Sequence, residues 1–292
     1  MMNRIPSLLS SVVIGLSALS AQQEAVPTAL KRQRVVVIGA SVSAGFEDPT
    51  SKRADGSVNR SFKLDVVLKK VWPRQVARVY NLSNLMLFRD PGAGGRRQIE
   101  AAKKLTPDLV VAIDFPFWFG YGVSKASKVG KVQEDRLAKQ RKAFQLLDEL
   151  KCRVLLGDYP DMSGASQRMM PASMVPNSVT LAALNTNLLA YASKRPHVQV
   201  ASLARFVKRA TTKSQTYAYG EGQVVFPKYF LLQSDRLHAT RLGIAVLTTH
   251  VLDALPGILD PKSPLLGHRA TLQTLVRGLG IEDQLPDKSA GK

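Results

Sequence analysis

The sequence predicts an α/β fold built on a parallel sheet with helices on both faces. Three observations carry this. Short runs apolar at every position recur along the chain, as strands covered on both faces require. Segments with apolar residues at helical spacing lie between them. The alternation runs from Arg34 to Leu255, which is the pattern that crossover connections within one sheet produce.

The first run is Arg34-Val35-Val36-Val37-Ile38-Gly39. Val76 to Leu82 resembles a strand, and Asp108 to Ile113 and Val154 to Gly157 are further continuous runs. His197 to Leu203 is shorter and more polar. A helix is expected over Gly95–Leu105, around Ile99 and Ala102. Val132–Leu150 repeats Leu137, Phe144, Leu147 and Leu150, and Ser178–Ser193 repeats Leu181, Leu184, Leu188 and Leu189. Ala239–Leu255 carries Leu242, Ile244, Ala245, Leu247 and Val251, and Pro256-Gly257 ends it.

The chain has 292 residues, 45% hydrophobic and 22% charged, a globular composition with enough apolar residues for one large core. Arg4, the short apolar stretch Leu8–Leu19 and the small residues Ala18-Leu19-Ser20-Ala21 read as a secretory signal peptide over 1–21. Residues 22–33 read as a linker, 34–256 as the domain and 257–292 as a C-terminal tail with a short helix over Thr271–Leu279. No later segment is long and apolar enough to span a bilayer. A secreted or periplasmic protein is expected.

Lys and Arg number 41 against 22 acids, a formal charge of +19. Such a surface attracts polyanions, including anionic cell-surface polymers. The charges are spread along the chain without a dense basic tract or nucleic-acid motif, which argues against nucleic acid as partner. The lone Cys152 precludes an internal disulfide and heads an apolar run. It reads as a buried structural thiol. No His, Cys, Asp and Glu cluster has metal-ligand spacing, so neither metal nor cofactor is expected.

In open α/β sheets, sites form beyond the carboxyl ends of the strands. After the first run comes Gly39-Ala40-Ser41-Val42-Ser43-Ala44-Gly45. A serine there can present its hydroxyl at a strand-to-helix turn, with its own N–H facing a developing oxyanion. The segment lacks the Gly-x-Gly-x-x-Gly of dinucleotide-binding turns and the spacing of the Gly-x-Ser-x-Gly elbow. Near the other end, Asp235-Arg236-Leu237-His238 places a carboxylate three residues before an imidazole. At a helix start the two share a face, so Asp235 can orient His238 and His238 can take the proton of Ser41.

These two blocks resemble the first and last blocks of the SGNH hydrolases, the GDSL esterase and lipase family, in order and separation. The resemblance spans Arg34 to Leu255 and implies a three-layer α/β/α sandwich of the flavodoxin-like kind. It implies Ser41 as nucleophile with His238 and Asp235, acting on a small-molecule, lipid or glycan ester. It further implies an oxyanion hole of Ser41 N–H, a glycine N–H from Asp90-Pro91-Gly92-Ala93-Gly94-Gly95 (Gly92, with Gly94 as alternative), and an asparagine after the third strand.

The chain departs from that pattern. Ile113-Asp114-Phe115-Pro116-Phe117-Trp118 contains no asparagine, and an ionised Asp114 cannot donate to an oxyanion. Ala40 stands where the family has aspartate. Asp114, Phe115, Phe117 and Trp118, with Asp158 and Tyr159 after the fourth strand, are expected to bind substrate, the aromatics holding an acyl chain or a sugar ring. A relative with reduced catalysis that binds an anionic or carbohydrate ligand, and an acyltransferase using the same three residues, are the alternatives.

Overall fold

The computed structural model describes residues 31–47, 61–124, 126 and 128–286. The expected signal peptide and residues 22–30 of the expected linker lie outside them. Strands β1 (Gln33–Val37), β2 (Ala77–Asn81), β3 (Leu109–Ala112), β4 (Arg153–Gly157) and β5 (Val198–Ala201) form one parallel sheet in the order β2-β1-β3-β4-β5. Val35 pairs with Val79 on one side and Leu109 on the other; Val111 pairs with Leu155, and Leu156 with Val200. Val35–Val37, Leu109–Ala112 and Val154–Leu156 are all fully buried, which is why those runs carry no polar residue.

Helices cover both faces. The short α1 (Ser41–Ala44) follows β1, and α2 (Leu64–Val71) leads to β2. Then come α3 (Pro91–Lys104), α4 (Phe117–Gly120), α5 (Val129–Leu147), α6 (Ser178–Ser193), α7 (Leu203–Thr212), α8 (Arg241–Ala254) and α9 (Leu272–Leu279). One layer joins α3, α4, α5 and α6, and the other joins α2, α8 and α9. Right-handed crossovers explain the split. The chain steps one way from β1 to β2 and the opposite way thereafter, so α2 lands on one face and α3, α5 and α6 on the other. The reversal leaves a crevice between the carboxyl ends of β1 and β3.

Several boundaries differ from expectation. The fifth strand stops at Ala201, because Ser202 accepts from Arg205 N–H and caps α7. Leu203, Phe206, Val207 and Ala210 then bury one helical face. Helix α3 starts at Pro91, four residues early, because Asp90 accepts from Ala93 N–H. Helix α5 ends at Leu147, before Leu150. Helix α8 starts at Arg241 behind its cap Thr240, so Asp235–His238 precede the helix. Helix α2 and the hairpin of β6 (Gln215–Tyr219) and β7 (Gly222–Phe226) were not expected.

The expected C-terminal tail packs against the domain as far as Ile281. Leu265, Leu275, Val276 and Ile281 are buried, α9 packs on α2 and α8, and Trp72 Nε1 donates to Leu265 O at 3.2 Å. Among the described residues no helix is long and apolar enough to cross a membrane.

Candidate active site

Ser41 sits at the crevice. Gly39 leaves β1 with φ +139°, and Ser41 opens α1, which Gly45 closes in the left-handed conformation. As the first helical residue, Ser41 has no intrahelical acceptor for its N–H. The turn is tied from two neighbouring elements. Gln98 of α3 accepts from Gly39 N–H at 2.8 Å and donates to Gly39 O at 2.9 Å. From the end of β3, Asp114 accepts from Val42 N–H at 2.8 Å, Ser43 N–H at 3.3 Å and Ser43 Oγ at 2.6 Å. A Cβ on Gly39 would overlap Asp114 Oδ1, so only glycine admits this carboxylate. Asp114 is 2% exposed. Burial pushes its pKa up, and the bonds from Ser43, Ala40 and Val42 offset only part of that.

The imidazole is held by its own turn. His238 Nδ1 lies 2.7 Å from Asp235 Oδ2. Asp235 Oδ1 accepts from Leu237 and His238 N–H at 2.9 and 3.0 Å, while Arg236 takes φ +53° to let the chain curl round the carboxylate. Both partners are buried, at 2% and 4% exposure. Burial alone would raise the Asp235 pKa; the bond and charge of His238 and the two N–H donors outweigh it and bring it below the ordinary value. A carboxylate on Nδ1 fixes the tautomer with the basic lone pair on Nε2.

Two clamps hold this turn. Thr240 N–H donates to Leu231 O at 3.0 Å, Leu232 bridges Ala239, and Leu231 O packs against Gly243 of α8 so closely that no Cβ would fit there. On the serine side, the Phe46 ring stacks on the His238 ring at 3.9 Å. Phe46 N–H donates to Ser41 O at 3.0 Å, and Phe46 O accepts from Gln233 Nε2 at 3.0 Å. Gln233 N–H in turn donates to His238 O at 2.7 Å. Phe46 is thus common to the serine turn and the histidine turn. Ser41, Asp114, Leu237 and Ala239 line one apolar cavity of about 30 Å³, with Phe117, Trp118, Met162 and Leu203 among its other walls.

The remaining expected site residues divide. Phe117 and Trp118 line that cavity. Phe115 is fully buried and packs on Phe119 at 5.5 Å, outside the lining. Asp158 accepts from Ser202 Oγ at 2.7 Å and Ala204 N–H at 2.6 Å, so its carboxylate holds the start of α7. Tyr159 is buried, with its backbone bonded to Asn185, and lines a neighbouring groove. The glycines expected in the oxyanion hole lie in the first turn of α3. Gly94 N–H donates to Asp90 O at 2.9 Å and is committed to the helix, and neither Gly92 nor Gly94 lines the Ser41 cavity. The early start of α3 places the glycine stretch in the first turn of the helix. Gln98, Phe46 and Gln233 were not anticipated, because each acts through a partner far away in sequence. No group of three potential metal ligands gathers among the described residues.

No family model and no curated protein sequence matches the chain. Solved structures do show similarity of trace. A lipase/acylhydrolase from Enterococcus faecalis is 17% identical over 79% of this chain and 98% of its own, with a TM-score of 0.47. An acetylxylan esterase from Geobacillus stearothermophilus is 15% identical over 88% of this chain and 97% of its own, with a TM-score of 0.38. The catalytic domain of a peptidoglycan O-acetyltransferase from Streptococcus pneumoniae is 11% identical over 87% and 97%, with a TM-score of 0.37.

Proposed function

We propose that the chain is an exported serine ester hydrolase of the SGNH type, with Ser41 as nucleophile, His238 as general base and Asp235 as its orienting carboxylate. One observation carries the proposal: a buried, hydrogen-bonded Asp235–His238 pair stacked on Phe46, whose own N–H is bonded to Ser41 O. A carboxylate that holds the imidazole in one tautomer and stabilises imidazolium is what acyl transfer requires.

In this reading Ser41 Oγ attacks the ester carbonyl while His238 Nε2 takes the hydroxyl proton. The carbonyl oxygen becomes an oxyanion facing Ser41 N–H. His238 then returns the proton to the departing alcohol, leaving Ser41 acylated. Water, deprotonated by the same nitrogen, releases the carboxylic acid and restores the hydroxyl. The small apolar cavity beside Ser41, about 30 Å³, favours a short acyl group over a long one. The apolar N-terminal stretch favours export, and the +19 charge favours work near an anionic cell-surface polymer.

Asp114 favours a second reading, a ligand-binding relative with reduced turnover. Its carboxylate lines the Ser41 cavity and offers no donor to an oxyanion while ionised. A fluorophosphonate probe decides between them. Stoichiometric labelling of Ser41, lost in Ser41→Ala and matched by turnover of 4-nitrophenyl acetate, supports the hydrolase. Absence of labelling, under conditions that label a control esterase, sinks it.

A further inference from the structure

Beside the Ser41 cavity lies a second, larger opening of about 530 Å³, to which the steps above assign no group. It runs between the loop after β4 and helix α7, past the carboxyl end of the sheet, and shares Met162 and Val207 with the Ser41 cavity. Its size suits a ligand of several hundred daltons. One wall carries Arg236, the residue after Asp235, and another carries Lys208. Among the described residues neither cation is ion-paired. The one acid on the lining is Asp161, which caps its own loop by accepting from Ser163 N–H.

The cationic wall is held in place by strained backbone. Among the described residues Tyr229 and Arg236 are two of the three non-glycine residues with positive φ, at +66° and +53°, and both line this groove. The guanidinium of Arg236 lies 4.5 Å from the centre of the Tyr229 ring, and Lys228 Nζ approaches the same ring at 4.9 Å. Tyr229 N–H is anchored to Ala210 O of α7 at 2.7 Å. A bulky residue in the left-handed region is uncommon and persists only where its surroundings fix it. Here they fix an aromatic ring that collects positive charge at the edge of a groove sharing two wall residues with the Ser41 cavity.

We propose that this groove is the subsite for the alcohol part of the ester, and that it takes an anionic, hydroxyl-rich alcohol such as an acidic sugar. The proposal rests on the hydrolase reading for the word ester; the groove's preference for anions stands on its own lining. Arg236 and Lys208 would pair with the carboxylate, and Asp161 would accept sugar hydroxyls. With the alcohol in this groove and the acyl group in the small cavity, the scissile bond falls between them, beside Ser41.

The test compares three acetate esters: acetylated oligogalacturonate, an acetylated neutral oligosaccharide of equal length, and 4-nitrophenyl acetate. The native protein is expected to favour the anionic over the neutral glycan by about three- to tenfold in kcat/KM, as two partly exposed ion pairs allow. Lys208→Glu and molar salt should each erase that preference, while 4-nitrophenyl acetate turnover stays unchanged. Equal rates on the two glycans, or a preference that Lys208→Glu leaves intact, overturn the proposal with the serine chemistry still standing. If no ester is turned over, the hydrolase reading fails separately. Calorimetric titration of Ser41→Ala with unacetylated oligogalacturonate still reads the groove: binding weakened by Lys208→Glu supports an anion site, and no binding refutes it.

Discussion

Asp114 gives the sharpest test of how the serine turn is built. Its carboxylate is the acceptor for Val42 N–H and for both donors of the fully buried Ser43. In Asp114→Ala the two short bonds, at 2.8 and 2.6 Å, are lost, leaving one donor fully buried and the other partly so. Each unmade bond of this kind costs about 1–3 kcal/mol, so the variant should lose roughly 2–6 kcal/mol. For a domain of this size that lowers Tm by roughly 5–20 °C. Asp114→Asn should behave differently. Its amide oxygen can accept from the backbone donors and its NH₂ can donate to Ser43 Oγ, which accepts as readily as it donates.

The amide also carries no charge, and this fixes the sign of a pH effect. Burial raises the folded-state pKa of Asp114 above 3.8, so the folded protein holds that proton more tightly than the unfolded chain. The stability this confers is complete below the unfolded pKa and is lost as pH rises through the folded one. Asp114→Asn does not titrate there, so its Tm relative to the native protein should climb as pH rises above about 4 and then level off. Thermal melts from pH 4 to 8 on all three proteins measure both effects. An alanine variant as stable as the native protein, or an asparagine difference flat across that range, refutes the account of the turn.

Other expectations follow from the same geometry. Ser41→Ala should abolish hydrolysis while shifting Tm by about 1 °C or less, since no hydrogen bond of its side chain holds the fold; a circular dichroism melt checks the second half. Asp235→Asn should keep the turn but present the wrong tautomer, lowering kcat by about 10⁴, as in other triads. Native stability should also fall in acid below pH 3.8, because the folded Asp235 pKa lies under its ordinary value and the stability gained from it disappears as pH drops through that value. Asp235→Asn should remove that part of the acid sensitivity, measured as Tm against pH. Gly39→Ala should cost stability and activity together, and Asp114→Gly in the same chain should restore part of the stability by removing the overlapping atoms.

The sheet was legible where burial on both faces left no polar residue, as at Val35-Val36-Val37 and Leu109-Val110-Val111. Other elements also carry local signals. Leu64, Val67, Leu68 and Val71 stand at helical spacing and bury one side of α2. Tyr217, Tyr219, Val224 and Phe226 alternate across a turn at Gly220, as a hairpin with one packed face requires. The triad candidates were visible because Asp235 and His238 are neighbours in sequence, whereas the bond from Asp114 to Val42 spans 72 residues. That bond exists only because β3 lies beside β1, a fact no local pattern contains. The placement of the glycines before Ile99 was not legible for a related reason. Glycine suits both a loop and a helix's first turn, and the cap at Asp90 decided between them.

The contact between Leu231 O and Gly243 has a consequence for how the protein can adapt. With no clearance there, the segment bearing the base moves only as its helix moves, so the imidazole inherits its position from the packed interior rather than from a free surface loop. Accommodation of bulkier substrates must then come from the opposite wall. A single methyl group added at residue 243, several positions from the ring, would displace the base without touching it.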